Sequence, residues 1–254
     1  MSYLEEYPNE VRDFLTVCKR LADRMYVTSQ GGNLSCKLED NLILISPTCV
    51  CKSEIAEMDV VFIDMEGKTV EGTRKPTGEV PMYLNFYRDR PDVKSVIHCH
   101  PPYVNTFAVL KGINWLMRPV FPETVAEVGP VPLVPYGEPL TQRLADNFAP
   151  FVKKYNAFLM ENHGLTILSS AGICRTMQLV EILEVSAISI LQALAVGEVK
   201  ELSREDVRNL ENTMRKRDLP MVGAPGVNKS LVELYFSEPD YSRGRTSQLV
   251  ERRD

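Results

Sequence analysis

The chain has 254 residues, 44% hydrophobic and 25% charged, with a net charge of −5. That length can bury one sizeable core, and the composition excludes a disordered or collagen-like chain. No stripe of lysine and arginine interleaves with aromatics, no export signal precedes the first helix, and no uninterrupted apolar stretch reads as long enough to cross a bilayer; nucleic acid and membrane are therefore not expected partners.

Apolar positions Val11, Phe14, Leu15, Val17, Cys18, Leu21, Ala22 and Met25 recur at helical spacing, which predicts a helix over 5–27. Short strands are predicted at 33–38, 42–46 and 59–64, separated by turns such as Glu66-Gly67-Lys68. A helix is expected over 79–90, then a buried strand from Val93 to His100, then a helix opened by Pro101-Pro102 and running to about 110. A short strand at 131–135, a helix at 139–154 and two strands at 156–160 and 164–168 follow. Helices over 171–197 and 203–218 complete the pattern, the latter opened by Ser203-Arg204-Glu205-Asp206. Strands in the middle with helices around them predict a mixed α/β domain over 1–222. Residues 223–254 turn polar and read as a surface extension, disordered in part, with its tip after about Ser242.

The chain has three histidines. His98 and His100 form an H-x-H on a predicted strand, where residues two apart face the same side. His163 lies in Asn162-His163-Gly164. A catalytic zinc typically takes three protein ligands and keeps one position open, so the three imidazoles read as one metal site; the alternative is three unrelated histidines. Cys99, between the first two, should face away from them and serve packing. The six cysteines lack the spacing of a disulfide framework and read as reduced thiols of the cytoplasm.

Three further segments carry chemistry. Gly31-Gly32-Asn33-Leu34-Ser35 combines a glycine turn with side-chain donors suited to an anion, although an ordinary helix C-cap fits equally. Thr77-Gly78-Glu79 enters a helix, with Thr77 or Gly78 as its cap and Glu79 in its first turn. There Glu79 is either functional or a carboxylate favoured by the helix dipole. The third segment is Ser46-Pro47-Thr48.

Taken in order, Gly32-Asn33-Leu34-Ser35, Ser46-Pro47-Thr48, Thr77-Gly78-Glu79, His98-Cys99-His100 and Asn162-His163-Gly164 resemble the class II aldolase/adducin family, in its L-fuculose-phosphate aldolase-like branch. The resemblance covers roughly 8–220. It implies an αβα sandwich with a mixed central sheet flanked by helices, and a homotetramer with active sites at subunit interfaces. It implies Zn²⁺, or another divalent metal such as Mn²⁺ or Co²⁺, on His98, His100 and His163. Glu79 is implied as catalytic acid/base and as an extra metal ligand at rest. Gly32, Asn33, Thr48, Thr77 and Gly78 are implied to bind a substrate phosphate. The implied reaction is retro-aldol cleavage of a ketose 1-phosphate to dihydroxyacetone phosphate and an aldehyde through an enediolate. Decarboxylation of a 3-oxo or aromatic acid, epimerisation of a pentulose phosphate, and a non-catalytic adducin-like domain are the alternatives.

The chain also departs from the family pattern. Thr77-Gly78 stands where aldolases commonly have two serines, and Thr48-Cys49 where they often have Thr-Gly. The fuculose enzyme's interface tyrosine has no clear match; that region offers Glu123, and its C-terminal tyrosine falls near Arg217. Tyr136, Tyr235 and Tyr241 are unplaced candidates for its role.

Overall fold

A computed structural model describes residues 2–221, 223 and 230–236. Its elements in chain order begin with α1 (Tyr3–Glu6), α2 (Pro8–Asp23), β1 (Asn33–Glu39), β2 (Leu42–Ile45), β3 (Val61–Ile63) and β4 (Thr69–Glu71). Then come α3 (Val80–Asp89), β5 (Ser95–Cys99), α4 (Pro102–Val109), α5 (Pro122–Glu127), β6 (Leu133–Val134) and α6 (Gln142–Asp146). The chain continues with β7 (Ala157–Met160), β8 (Gly164–Ser169), α7 (Ile173–Val196), α8 (Arg204–Lys216) and α9 (Leu231–Phe236).

The strands form one sheet in the order β4-β3-β2-β1-β5-β8-β7-β6. Every pairing is antiparallel except β6 with β7, so the sheet is mixed, as expected. Alternation along the strands sends side chains into two cores. On β5, Ile97 and Cys99 join Val17 and Leu21 of α2 and Leu183 of α7 on one face. Val96 joins Tyr83 and Phe86 of α3 and Leu144 of α6 on the other. The result is the expected αβα sandwich, and Cys99 does face away from His98 into packing.

Several expectations need correction. The helix predicted over 5–27 is two helices, because Pro8 cannot donate to a preceding turn and instead starts α2 at a position that tolerates proline. The helix predicted over 139–154 persists only as α6; turns follow it to 154. Pro150 disfavours helical backbone at Ala149, while Phe148 and Val152 still reach the core from those turns. Neither β4 nor α5 was expected.

Among the described residues α7 is long and apolar enough by length and composition to cross a bilayer, with a mean hydropathy of 1.9 over an 18-residue window, although Glu181 and Glu184 interrupt its apolar run. It is instead a core helix, packed on α2, α4, β5 and β8. Of the extension, α9 packs with Val125 of α5 and Val207 of α8 through Leu231 and Val232. The tip after Ser242 lies outside the described residues.

Candidate metal centre and active site

The site forms at one end of the sheet, where β5 finishes and β1 and β8 begin. Asn33 is the register partner of His98 on one side, and Thr166 is its partner on the other. His98 therefore sits on the sheet's central strand pair with a polar neighbour across each ladder. His100 lies just past the end of β5, its backbone N–H held by the Tyr26 carbonyl at 2.6 Å. The chain beyond it enters α4, whose first N–H groups at Tyr103 and Val104 donate to the buried Glu184 carboxylate of α7 at 3.1 and 2.9 Å. His163 arrives in the turn between β7 and β8, not on a strand, where Asn162 has φ +54.

The three imidazoles offer nitrogens that all lie within 4.8 Å of one another. Packing around them leaves little room. A Cβ at Gly164 would stand 2.6 Å from His100 Cδ2 and 2.8 Å from the Cys99 carbonyl, so the turn after His163 requires glycine. Gly32, at φ +69, lets the chain pass under the His98 carbonyl, 3.0 Å from where its Cβ would be.

Glu79 is the N-cap residue of α3, but its side chain caps nothing. It lies one position before the predicted first turn. Its carboxylate instead reaches the histidines, with Oε2 3.7 Å from His98 Nε2 and Oε1 3.9 Å from His163 Nε2. Those gaps are too long for hydrogen bonds. Asn33 Nδ2 donates to Glu79 Oε2 at 2.8 Å. Tyr83, one helical turn beyond Glu79, donates from its buried hydroxyl toward both the Asn33 side-chain and main-chain carbonyls, at 2.6 and 2.7 Å. The amide of Asn33 thus orients Glu79.

This donor set fits a divalent cation. His98 Nδ1 faces the Leu165 carbonyl at 2.9 Å. A carbonyl only accepts, so Nδ1 carries the proton and the lone pair is left on Nε2. His163 Nδ1 is buried with no hydrogen-bond partner among the described residues, and its Nε2 stands 3.9 Å from Glu79 Oε1. Neither ring's lone pair meets a protein donor. Burial, with the neighbouring imidazoles adding to it, lowers the pKa of His98 and of His100 to about 3. Burial lowers that of His163 too, against the pull of Glu79. Neutral imidazoles are the form that binds metal.

The remaining sequence candidates divide into two groups. Thr48 and Thr77 come together, because Pro47 and Pro76 form a bridge, Thr48 N–H donates to the Lys75 carbonyl and Thr77 N–H to the Ser46 carbonyl. Thr77 Oγ1 accepts from the Glu79 N–H at 3.3 Å. Cys49, beside exposed Thr48, has φ +58, a conformation that favours glycine. Gly78 abuts Leu140, whose Cδ2 would be 2.9 Å from an added Cβ. Leu140 is itself left-handed at φ +67 and 64% exposed.

Glu123, by contrast, lines a separate cleft with Gln178 and Ile182 of α7, outside the histidine cluster. The hydroxyl of Tyr235 is buried without a partner among the described residues, in the α8–α9 region. Tyr136 is half exposed just past β6, its N–H bonded to Glu161. Tyr241 lies outside the described residues. Sequence reasoning missed Tyr83 and Leu140; the spacing of four between Glu79 and Tyr83 on one helix was the available signal for the first.

The Class II Aldolase and Adducin N-terminal domain family matches residues 12–188, a span that contains the histidines, Asn33 and Glu79. The chain belongs to this family. Among its relatives, the 3-oxo-tetronate 4-phosphate decarboxylase of Pectobacterium atrosepticum is 31% identical over 74% of this chain and 85% of its own length. The 5-deoxy-D-ribulose 1-phosphate aldolase of Bacillus thuringiensis serovar kurstaki is 32% identical over 79% of this chain and 93% of its own. The crystal structure of YgbL from Klebsiella pneumoniae superposes with a TM-score of 0.73 at 31% identity, covering 79% of this chain and 96% of that one. The resemblance and fold expected from sequence are therefore correct. The chain is an enzyme of the class II aldolase type, consistent with carbon–carbon lyase activity.

Proposed function

We propose that the protein is a metal-dependent lyase that cleaves a ketose 1-phosphate to dihydroxyacetone phosphate and an aldehyde. The carrying observation is Glu79 standing between His98 Nε2 and His163 Nε2, with Asn33 bonded to its Oε2. His98, His100 and His163 would hold Zn²⁺, or Mn²⁺ or Co²⁺, with Glu79 as an extra ligand at rest. When bound, the cation supplies Lewis-acid charge for the developing enediolate oxygens. Glu79 then moves the proton at the carbon next to the ketone; the chain has no fourth histidine to do so. Asn33 fixes the carboxylate's direction. Gly32, Thr48, Thr77 and Gly78 face the phosphate end, where the Thr77 hydroxyl, accepting from Glu79 N–H, keeps its own proton to donate.

A second reading keeps this site and breaks a different bond: decarboxylation of a phosphorylated 3-oxo acid, with Glu79 protonating the same carbon. The decarboxylase relative favours it. The protein is proposed to be cytoplasmic, in line with its six free cysteines. It is proposed to work as a homotetramer, with exposed Val185 and Val196 of α7 as apolar surface for copies to bury. Light scattering should then give a mass near four chains. Zinc-loaded protein should be assayed against ketose 1-phosphates and phosphorylated 3-oxo acids, reading dihydroxyacetone phosphate and CO₂. Release of dihydroxyacetone phosphate supports the aldolase reading. Release of CO₂ alone replaces it with the second, and neither product with metal bound overturns both.

A further inference from the structure

A second polar cavity lies away from the histidines. It is a cleft of about 630 Å³ between the outer face of α2 and the loop after β2. Arg12, Lys19, Arg20 and Arg24 of the α2 segment line it with Lys52 of the loop, against two acids, Asp23 and Glu57. None of the metal-centre residues borders it. Some of this charge is already matched. Glu181 of α7 takes a bidentate bond from Arg20 and stands 3.4 Å from Arg24. Exposed Lys19 has no ion pair among the described residues.

Lys52 is the anomaly. It is only 2% exposed, and its one hydrogen bond is a long 3.4 Å contact from Nζ to the carbonyl of Val50. No carboxylate pairs with it among the described residues; its charge interacts with the thiols of Cys18, Cys51 and Cys49 and is also felt at His98 and His100. Burial of an ammonium without a counter-charge is costly, and desolvation lowers its pKa accordingly. An ammonium has three donors, and here at most one is used.

We infer that this cleft binds a small phosphate-bearing anion, with Lys52 as the buried counter-charge on its wall and Lys19 and Arg12 closing over it from α2. The cleft is large enough for a sugar phosphate, and a phosphate dianion accepts from several donors at once. Thr48, Thr77 and the histidines do not border the cleft, although the charge of Lys52 is felt at His98 and His100.

Equilibrium dialysis with radiolabelled inorganic phosphate, on metal-loaded protein at constant ionic strength, tests the proposal. Asn33→Asp places a negative charge in the catalytic pocket and suppresses binding there. This variant should still take up one phosphate per chain. Adding Lys52→Met, which keeps length and removes charge, should abolish that uptake. Adding Lys19→Glu, an exposed change that leaves the fold untouched, should weaken it at least ten-fold. Lys19→Glu alone should leave turnover unchanged. No uptake by Asn33→Asp, or uptake indifferent to Lys19→Glu, overturns the proposal. So does a Lys52→Met chain that keeps its phosphate site but shows a raised KM for a phosphorylated substrate, since Lys52 would then serve the catalytic pocket.

Discussion

In the proposed reaction, proton transfer rests on one carboxylate and the amide that aims it. Glu79→Gln keeps the shape, the hydrogen-bonding capacity toward Asn33 and the three imidazoles, but removes the base. Metal content and melting temperature should survive while turnover falls by roughly 10²–10⁴, the usual contribution of a positioned acid/base. Exchange of the α-proton of dihydroxyacetone phosphate with solvent deuterium should fall with it; near-normal exchange would refute the assignment. Tyr83 acts one step back. Its buried hydroxyl holds both carbonyls of Asn33. Tyr83→Phe should lower kcat about ten-fold with little change in KM, at a stability loss of about 1–2 kcal/mol for the carbonyls left unsatisfied. An equal rise in KM would show instead that the pocket itself had collapsed. The histidine cluster was legible in the sequence because His98 and His100 are two apart at the end of a predicted strand and His163 is the one histidine left over. Tyr83 was not, because a buried tyrosine on an apolar helix face reads as core until its hydroxyl's partner is known.

At the scale of elements, the centre depends on where strands stop and helices start. β5 ends at Cys99, so His100 is placed by its bond to Tyr26 and by α4, which Glu184 caps from α7. Glu184→Ala should uncap α4, at about 1–2 kcal/mol of stability, and loosen His100 enough to weaken zinc binding. A calorimetric melt and a zinc titration measure the two effects. Loss of stability with unchanged zinc affinity would mean that α4 does not position the ligand. Gly164→Ala should be harsher on the metal, since its Cβ meets the His100 ring at 2.6 Å and a backbone carbonyl at 2.8 Å, and the latter cannot swing aside. The long periodic elements, β5, β7, β8, α7 and α8, follow from sequence pattern to within two or three residues. The segment 147–154 does not. Its Phe148 and Val152 are four apart, as in a helix, but Pro150 between them leaves only turns. β4 escaped for the opposite reason: three partly exposed residues carry no hydrophobic signal.

For the whole molecule, three neutral imidazoles at one sheet end, one buried and two half-buried, are a liability when no cation joins them. His98 and His100 have folded-state pKa values of about 3, against roughly 6.5 for an unfolded histidine. Above the unfolded value both states are neutral and the groups contribute no pH dependence. Between that value and about 3, the unfolded chain binds protons that the native site refuses, so stability falls as pH falls. Below about 3 the dependence levels off. Metal-free protein should therefore show a melting temperature that drops as pH is lowered from 7 towards 4. A His98→Gln/His100→Gln variant, lacking both titrating groups, should have a shallower slope over the same range. Zinc should raise the melting temperature near pH 7 by mass action, because it binds the folded arrangement. That gain should shrink on acidification only as far as protons compete with zinc for the lone pair of His163 in the folded site, since His98 and His100 refuse them until about 3. Scanning calorimetry of the metal-free, zinc-loaded and doubly substituted proteins at several pH values reads all three slopes. Parallel slopes for the metal-free wild type and the double variant would mean that the histidines titrate normally, and that the site opens to water without its metal.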